Sequence, residues 1–407
     1  MKSTQEVILL SIAGADRPGV TAALTKILSH YDAEILDIGQ AVIHDTLSLG
    51  ILFRLPETAT SGPILKELLF QAYEFDITAK FTPVNDQTYE SWVQQQGKDR
   101  YIVTLFGRCI EAHHIAEITR ILFAQKLNID NIQRLSGRVS FVKESIEKNR
   151  ACVELSVRGT PINENEMKRE FMEASKSIGL DISFQIDNAF RRNRRLICFD
   201  MDSTLIQTEV IVELAKYAGV EKEVEEITEA AMRGEIDFSE SFKQRIKLLK
   251  GIDENVLDEI ARNLPLTEGA DRLIRTLKRF GYKVAILSGG FSFFGRYLQT
   301  KLGVDYVFAN ELEIIDGKLT GNYIGDIVDG QMKAELLKKL AFKEDIHLEQ
   351  VIAVGDGAND LPMINIAGLG IAFHAKPKVQ ERADNKISTI GLDGILYMLG
   401  FRDREVD

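Results

Sequence analysis

The strongest constraint on this chain is a change of pattern at residue 196. From there, apolar runs short enough for buried strands alternate with stretches of helical periodicity. That alternation predicts a parallel sheet with helices on both faces. The first run, Leu196-Ile197-Cys198-Phe199, ends on Asp200-Met201-Asp202-Ser203-Thr204. A second run, over 283–287, ends on Ser288-Gly289-Gly290, and a third is Tyr306-Val307-Phe308-Ala309. A fourth, over 351–354, ends on Gly355-Asp356-Gly357-Ala358-Asn359-Asp360, and 369–373 forms a short fifth. Lys333 stands near the start of a helix expected over 331–341, and Asp316-Gly317 signals a hairpin. Parallel strands end at one shared edge, where open α/β sheets place their ligands. Polar groups from four separate segments can therefore converge.

Asp200 and Asp202 lie two apart, so an extended backbone points both the same way. Two adjacent carboxylates repel unless a cation or a shared proton relieves them. A metal site follows as one reading, and a solvated loop after a strand as the other. The alternation breaks directly after this acidic tip. Residues 207–263 contain no convincing strand but four helical stretches, a cap positioned to close over the site and exclude water.

The set Asp200-Met201-Asp202-Ser203-Thr204, Ser288, Lys333 and 355–360 resembles the haloacid dehalogenase superfamily of phosphatases. Residues 196–407 are then a Rossmann-like phosphatase domain with its helical cap at about 207–263. Glu209, Phe238, Arg245 and Ser288-Gly289-Gly290 make it most similar to the phosphoserine phosphatase family within that group. The resemblance implies hydrolysis of O-phospho-L-serine to L-serine, the last step of serine biosynthesis, through an aspartyl-phosphate. It implies Asp200 as nucleophile and Asp202 as general acid and base. Mg²⁺ would be held by Asp200, Asp356 and the backbone carbonyl of Asp202, with Asp360 orienting its waters. Lys333, the Ser288 hydroxyl and the Gly289 N–H would meet the phosphoryl oxygens, and Asn359 would bind ligand or phosphate. Glu209 would meet the substrate ammonium, Arg245 its carboxylate, and Phe238 would shield it. Asp200 is expected to be ionised at neutral pH, since a free Asp titrates near ~3.9. Asp202 needs a raised pKa, which anionic neighbours can supply.

The first half reads differently. Residues 6–14 form an apolar run ending at Gly14, followed by Asp16-Arg17-Pro18-Gly19 and a helical stretch over 20–29. Strands over 33–38, 47–55 and 78–83 and a helix from Pro63 complete a βαββαβ order. Residues 1–85 resemble an ACT domain, an α+β ferredoxin-like module that senses amino acids. A second, divergent copy spans 101–187, where Gly107-Arg108-Cys109-Ile110 replaces the Asp-Arg-Pro-Gly turn. The resemblance implies pairing into a homodimer and L-serine as a regulatory ligand; the alternative is a scaffold without ligand. Residues 86–100 read as a polar linker with a single helical turn. The stretch 188–195, with Arg191, Arg192, Arg194 and Arg195, reads as a solvated linker.

The 407 residues suggest two or three domains at roughly 150 residues each. A net charge of −11 disfavours nucleic acid or an anionic membrane as partner. No apolar stretch at the N-terminus reads as a leader or a membrane span. The three cysteines show no disulfide or metal spacing and suit a reducing cytoplasm, with Cys198 a core residue. The six histidines show no ligand spacing either. One rival keeps the chemistry but changes the phosphomonoester or transfers phosphate to another alcohol. Another makes the chain an amino-acid-sensing regulator with a vestigial phosphatase domain, against which the intact Asp200, Asp202, Lys333 and Asp356 argue.

Overall fold

A computed structural model describes residues 6–138, 150–233 and 235–406. Parts of the expected divisions 1–85, 101–187 and 207–263 therefore lie outside the described residues. The chain divides into two units, residues 1–98 and 99–407.

The first unit has strands β1 (Val7–Ala15), β2 (Glu34–Ile43), β3 (Thr46–Arg54) and β4 (Ile77–Val84). They form one sheet in the order β2-β3-β1-β4. Helix Val20–His30 buries Val20, Leu24 and Leu28, and helix Ser61–Glu74 buries Ile64, Leu68 and Ala72. Both sets recur every fourth residue, one stripe on each helix. Ile8, Leu10 and Ile12 meet them from alternate positions of β1. Gly19 takes a φ of 95° where the first helix begins, a conformation that suits glycine. The expected linker contains more structure than a single turn. Asp86–Gln96 is a helix of three turns, started by Asn85, whose side chain accepts the Thr88 N–H at 2.8 Å.

The second unit opens with the same βαββαβ order. Strands β5 (Arg100–Gly107), β6 (Asn128–Arg134), β7 (Ala151–Arg158) and β8 (Asp181–Ile186) form a sheet in the order β6-β7-β5-β8. Helices Ala112–Ala124 and Glu164–Ile178 make the crossovers. Its divergent turn is used for docking: Arg108 makes two bonds to Glu268, at 2.9 and 2.7 Å. Buried Asp181 accepts three further bonds, from the backbone N–H groups of Ser388 and Thr389 and from the Thr389 hydroxyl.

The expectation of a solvated linker at 188–195 is wrong. Ala189–Arg192 is a short helix, and Arg191 and Arg194 are both buried. Arg191 pairs with Glu154 at 2.8 Å and Arg194 donates to the Gln185 amide oxygen at 3.0 Å. Each guanidinium finds a side-chain acceptor inside the protein, which lets two members of the basic run be interior, although both Nε atoms are buried without a partner.

Strands β9 (Leu196–Phe199), β10 (Lys283–Phe291), β11 (Tyr306–Ile315), β12 (Lys318–Ile324), β13 (Val351–Gly355), β14 (Leu369–Phe373) and β15 (Asn385–Ile387) follow. They form one sheet in the order β12-β11-β10-β9-β13-β14-β15, parallel except for the β11–β12 hairpin. Asp316 and Gly317, with φ of 50° and 73°, make the hairpin turn. In β9, Ile197 and Phe199 enter one core while Leu196 and Cys198 enter the other. The unbroken apolar run is thus explained by a strand covered on both faces. From β9 the chain builds outward to β12, then returns to build the other side from β13. The strand order therefore reverses at β9, and a crevice at such a switch point is a ligand site.

The cap inserts between β9 and β10 as helices Val210–Ala218, Glu221–Arg233, Phe238–Leu248 and Asn255–Asn263. Its two connections run together, with Ile206 paired to Leu266 and the Gln207 N–H bonded to the Pro265 carbonyl at 2.9 Å. Among the described residues no helix is long and apolar enough to cross a membrane.

Candidate active site

Asp200 leaves β9 at the reversal point, and its N–H bonds the Val354 carbonyl of β13 at 2.9 Å. The chain then coils tightly over Met201–Leu205, with Ser203 at a φ of 55°. Asp200 and Asp202 keep extended backbone angles, with ψ of 161° and 135°, but their carboxylates have separate surroundings. One Asp200 oxygen lies 2.9 Å from the Lys333 Nζ and accepts the Met201 N–H at 2.7 Å. The Asp202 Oδ1 instead accepts the Val210 N–H, at the start of the first cap helix, at 3.1 Å.

Lys333 is wholly buried in helix Gly330–Lys343. It bonds Asp360 at 2.6 Å, while the other Asp360 oxygen accepts the Gly357 N–H at 2.9 Å. One lysine thus ties the end of β9 to the loop after β13. Asp200, Asp356 and Asp360 each offer an oxygen, and these atoms lie within 4.8 Å of one another. Oxygen donors in such a group suit a hard divalent cation.

Charge in this cluster is under stress. Burial, with Asp360 and Asp356 nearby, pushes the Asp200 carboxyl well above the ordinary range despite Lys333. The expectation that Asp200 is ionised simply because a free Asp is so must be corrected. Within the protein its carboxylate is favoured by added positive charge, which a cation at this cluster would supply. Burial, then Asp360 and Glu209, raise Asp356 to about 6, against the hydrogen bond from Thr204. Burial would lower the Lys333 pKa, but Asp200 and Asp360 more than reverse this and keep it charged. Asp202 is raised to about 7, mainly by burial, with Glu209 and Asp356 adding to it. The anionic neighbours named in the expectation contribute, but less than burial.

Ser288 is fully buried near the end of β10, and its Oγ accepts the Gly290 N–H at 2.9 Å. Its proton is therefore left to donate elsewhere. A Cβ on Gly289 would stand 2.7 Å from Phe238, so the cap ring lies against the loop backbone. Asn359 packs on the start of the Lys333 helix, where a Cβ on Gly330 would meet its carbonyl at 2.6 Å. Glu209 is exposed just before helix Val210–Ala218 and close enough to raise Asp202. Arg245 is buried in helix Phe238–Leu248, where its Nε donates to the Ser241 carbonyl at 3.3 Å. No carboxylate lies within ion-pair distance of Arg245 among the described residues; Glu209 and Asp202 answer its charge from further off.

Two contributors escaped the residue-by-residue reading. The Thr204 hydroxyl donates to Asp356 at 3.1 Å and so orients a carboxylate 152 positions away. Gly290 is the second: a Cβ there would stand 2.4 Å from the Asp202 Oδ2. Both were visible as letters of a motif, but their partners are not coded locally. Gly290→Ala is expected to cut kcat about 10²-fold by displacing Asp202, because misplacement of about 1 Å costs that much. The melting temperature is expected to change little. Steady-state kinetics beside a thermal melt checks this, and unchanged turnover would remove Gly290 from the site.

Comparison with known proteins gives a consistent picture. The ACT domain family matches residues 6–82, and the haloacid dehalogenase-like hydrolase family matches residues 194–368. A phosphoserine phosphatase of Streptomyces coelicolor is 39% identical over 401 residues, covering 98% of this chain and 93% of the relative. One from Mycobacterium tuberculosis is 37% identical over 405 residues, covering 98% and 94%. Among solved structures, a hydrolase of the haloacid dehalogenase family from Salmonella enterica serovar Typhi superposes with a TM-score of 0.62. It is 31% identical, and the match covers 73% of this chain and 98% of that one. A probable phosphoserine phosphatase from Vibrio cholerae gives a TM-score of 0.57 at 35% identity, covering 75% and 87%.

Proposed function

We propose that this chain, which belongs to the phosphoserine phosphatase family, hydrolyses O-phospho-L-serine to L-serine and phosphate, the last step of serine biosynthesis. The observation that carries the proposal is the convergence of Asp200, Lys333, Asp356 and Asp360 at the strand-order reversal, beneath a cap that holds Arg245.

An Asp200 carboxylate oxygen attacks phosphorus as the phosphorus–oxygen bond to serine breaks. Asp202, whose pKa of about 7 leaves it partly protonated at neutral pH, gives its proton to the departing serine oxygen. The same carboxylate then takes a proton from water. That water attacks phosphorus, releasing phosphate and restoring Asp200. Lys333, the Ser288 hydroxyl and the Gly289 N–H stabilise charge on the transferring group. Asp200, Asp356 and the Asp202 carbonyl would hold a Mg²⁺ ion, with Asp360 orienting its waters, and it would supply positive charge for the nucleophile and phosphoryl oxygens. Asn359 bonds ligand or phosphate. Arg245 takes the substrate carboxylate, Glu209 its ammonium, and Phe238 closes the pocket over Gly289.

The functional divisions are then 1–85, 101–187 and 196–407, the first two being ACT-like units. Their pairing joins two chains into a homodimer. Strand β2 supports that pairing, since it lies at a sheet edge and exposes Ile35, Ile38, Val42 and Ile43. L-serine is the regulatory ligand of the first unit. The free cysteines suit work in the cytoplasm.

The decisive measurement is phosphate release from O-phospho-L-serine with and without Mg²⁺, alongside a panel of other phosphomonoesters. Turnover is expected to be fastest on O-phospho-L-serine, to vanish with a chelator and to return when Mg²⁺ is restored. A faster substrate lacking the amino-acid moiety would overturn the specificity, and turnover indifferent to chelation would overturn the metal.

A further inference from the structure

We propose that Asn310 is a positioning residue that locks the phosphate-binding loop after β10 to the segment leading into the Lys333 helix. The proposal rests on the phosphatase reading above, because it assigns the loop a phosphoryl group to hold.

The need for such a residue begins in the sheet register. Residue Leu287 of β10 pairs with Phe308 of β11, and the next pair is Phe291 with Asn310. Four steps on one strand match two on the other, so β10 carries two extra residues and Ser288-Gly289-Gly290 bulges from the ladder. A bulge leaves backbone groups without their ladder partners, and inside a protein these must be satisfied some other way. Asn310 supplies the partner. Its Nδ2 donates to the Gly289 carbonyl at 2.8 Å. The same side chain accepts the Val328 N–H through its Oδ1, also at 2.8 Å. Asn310 is only 1% exposed, so water does not substitute for either bond.

The two bonds join the two parts of the site that face the phosphoryl group. The peptide between Gly289 and Gly290 is held at its carbonyl by Asn310 and at its N–H by the Ser288 hydroxyl oxygen. Fixing that peptide fixes the Ser288 hydroxyl as an acceptor from inside the loop and leaves its proton for the ligand. It also fixes the close passage of Gly290 by Asp202. On the other side, Val328 immediately precedes Asp329, whose side chain accepts the Met332 N–H at 2.8 Å and starts the helix carrying Lys333. A neutral amide has one donor end and one acceptor end, matching a carbonyl on one side and an N–H on the other. Carboxylate, hydroxymethyl and methyl side chains cannot provide both at this reach. Nothing places Asn310 against the substrate itself, so its action is through the loop.

The test uses the full-length, Mg²⁺-loaded protein with Asn310→Ala, and Asn310→Ser as the second variant where the first does not fold. Three quantities are read: kcat/KM on O-phospho-L-serine, the inhibition constant of inorganic phosphate, and that of L-serine. Loss of the lock is expected to lower kcat/KM about 10- to 100-fold and to weaken phosphate by about tenfold, because misplaced donors lose transition-state contacts. L-serine, which is held by the cap residues and the first ACT-like unit and not by the phosphate loop, is expected to shift by less than about twofold. A merely structural residue would lower the folded fraction and the melting temperature without separating the two constants. A folded variant with unchanged kcat/KM, or with phosphate and L-serine weakened equally, overturns the proposal. Phosphate affinity is also read directly by calorimetry. Wild-type protein that ignores O-phospho-L-serine, yet binds phosphate more tightly than the variant, refutes the substrate and leaves the positioning role intact.

Discussion

Asp200→Asn is expected to abolish phosphate release, by about 10⁴-fold or more, while the protein stays folded. The amide keeps the size and the position of the side chain but cannot attack phosphorus as a carboxylate does. Stability is expected to move the other way from activity. Burial and the neighbouring Asp360 and Asp356 make the ionised form of Asp200 costly in the protein without added cation. A neutral amide removes that cost. Lys333 loses one charged partner but keeps Asp360 at 2.6 Å, so its ammonium is not left buried and alone. In chelator, the variant should therefore melt at or above the wild-type temperature. Mg²⁺ should raise the wild-type melting temperature more than the variant's, since a ligand has been lost. Phosphate release and paired thermal melts with and without Mg²⁺ check all three statements. Undiminished turnover would remove Asp200 as nucleophile.

The legibility of this molecule in its sequence follows a physical boundary. Strands buried on both faces announce themselves, because every position must be apolar: Leu196-Ile197-Cys198-Phe199 shows this, with its residues shared between two cores. Helix stripes such as Val20, Leu24 and Leu28 are equally local. Groups at the ends of parallel strands are legible as well, because topology alone brings Asp200, Ser288 and Asp356 to one edge. Partnerships between distant segments were not. Arg191 and Arg194 sit in a basic run that looks solvated, and only the fold reveals Glu154 and Gln185 beside them. The three-turn helix Asp86–Gln96 has a weak apolar pattern, and little but its Asn85 cap marks it. Thr204 and Gly290 were present in recognised motifs, yet their roles depend on where Asp356 and Asp202 come to lie. The charge state of Asp200 is the same lesson in electrostatics: residue type sets a reference, and burial with its neighbours moves it.

Arg245→Ala should damage O-phospho-L-serine turnover far more than turnover of phosphoethanolamine, which has the same ammonium and phosphate but no carboxylate. Truncating one partner of a buried charge pair costs about 2–5 kcal/mol, which is about 30- to 4,000-fold in kcat/KM. For phosphoethanolamine the loss should stay within about threefold. The comparison of two substrates is needed because Arg245 also lies in the field of Glu209 and Asp202. Removing its charge alters those carboxylates, and with them the proton affinity of the acid, for either substrate. The fold effect is shared as well: losing the bond to the Ser241 carbonyl loosens the cap helix whatever the ligand. Both common losses cancel in the ratio of the two substrates, and what remains is the bond between guanidinium and carboxylate. Equal losses on both would show that Arg245 holds the cap rather than the substrate. The geometry favours the substrate, since this guanidinium is buried with no carboxylate at ion-pair distance among the described residues, and a buried charge without a close partner is costly until one arrives. The expected ratio follows from that unpaired charge, and steady-state kinetics on the two substrates measures it.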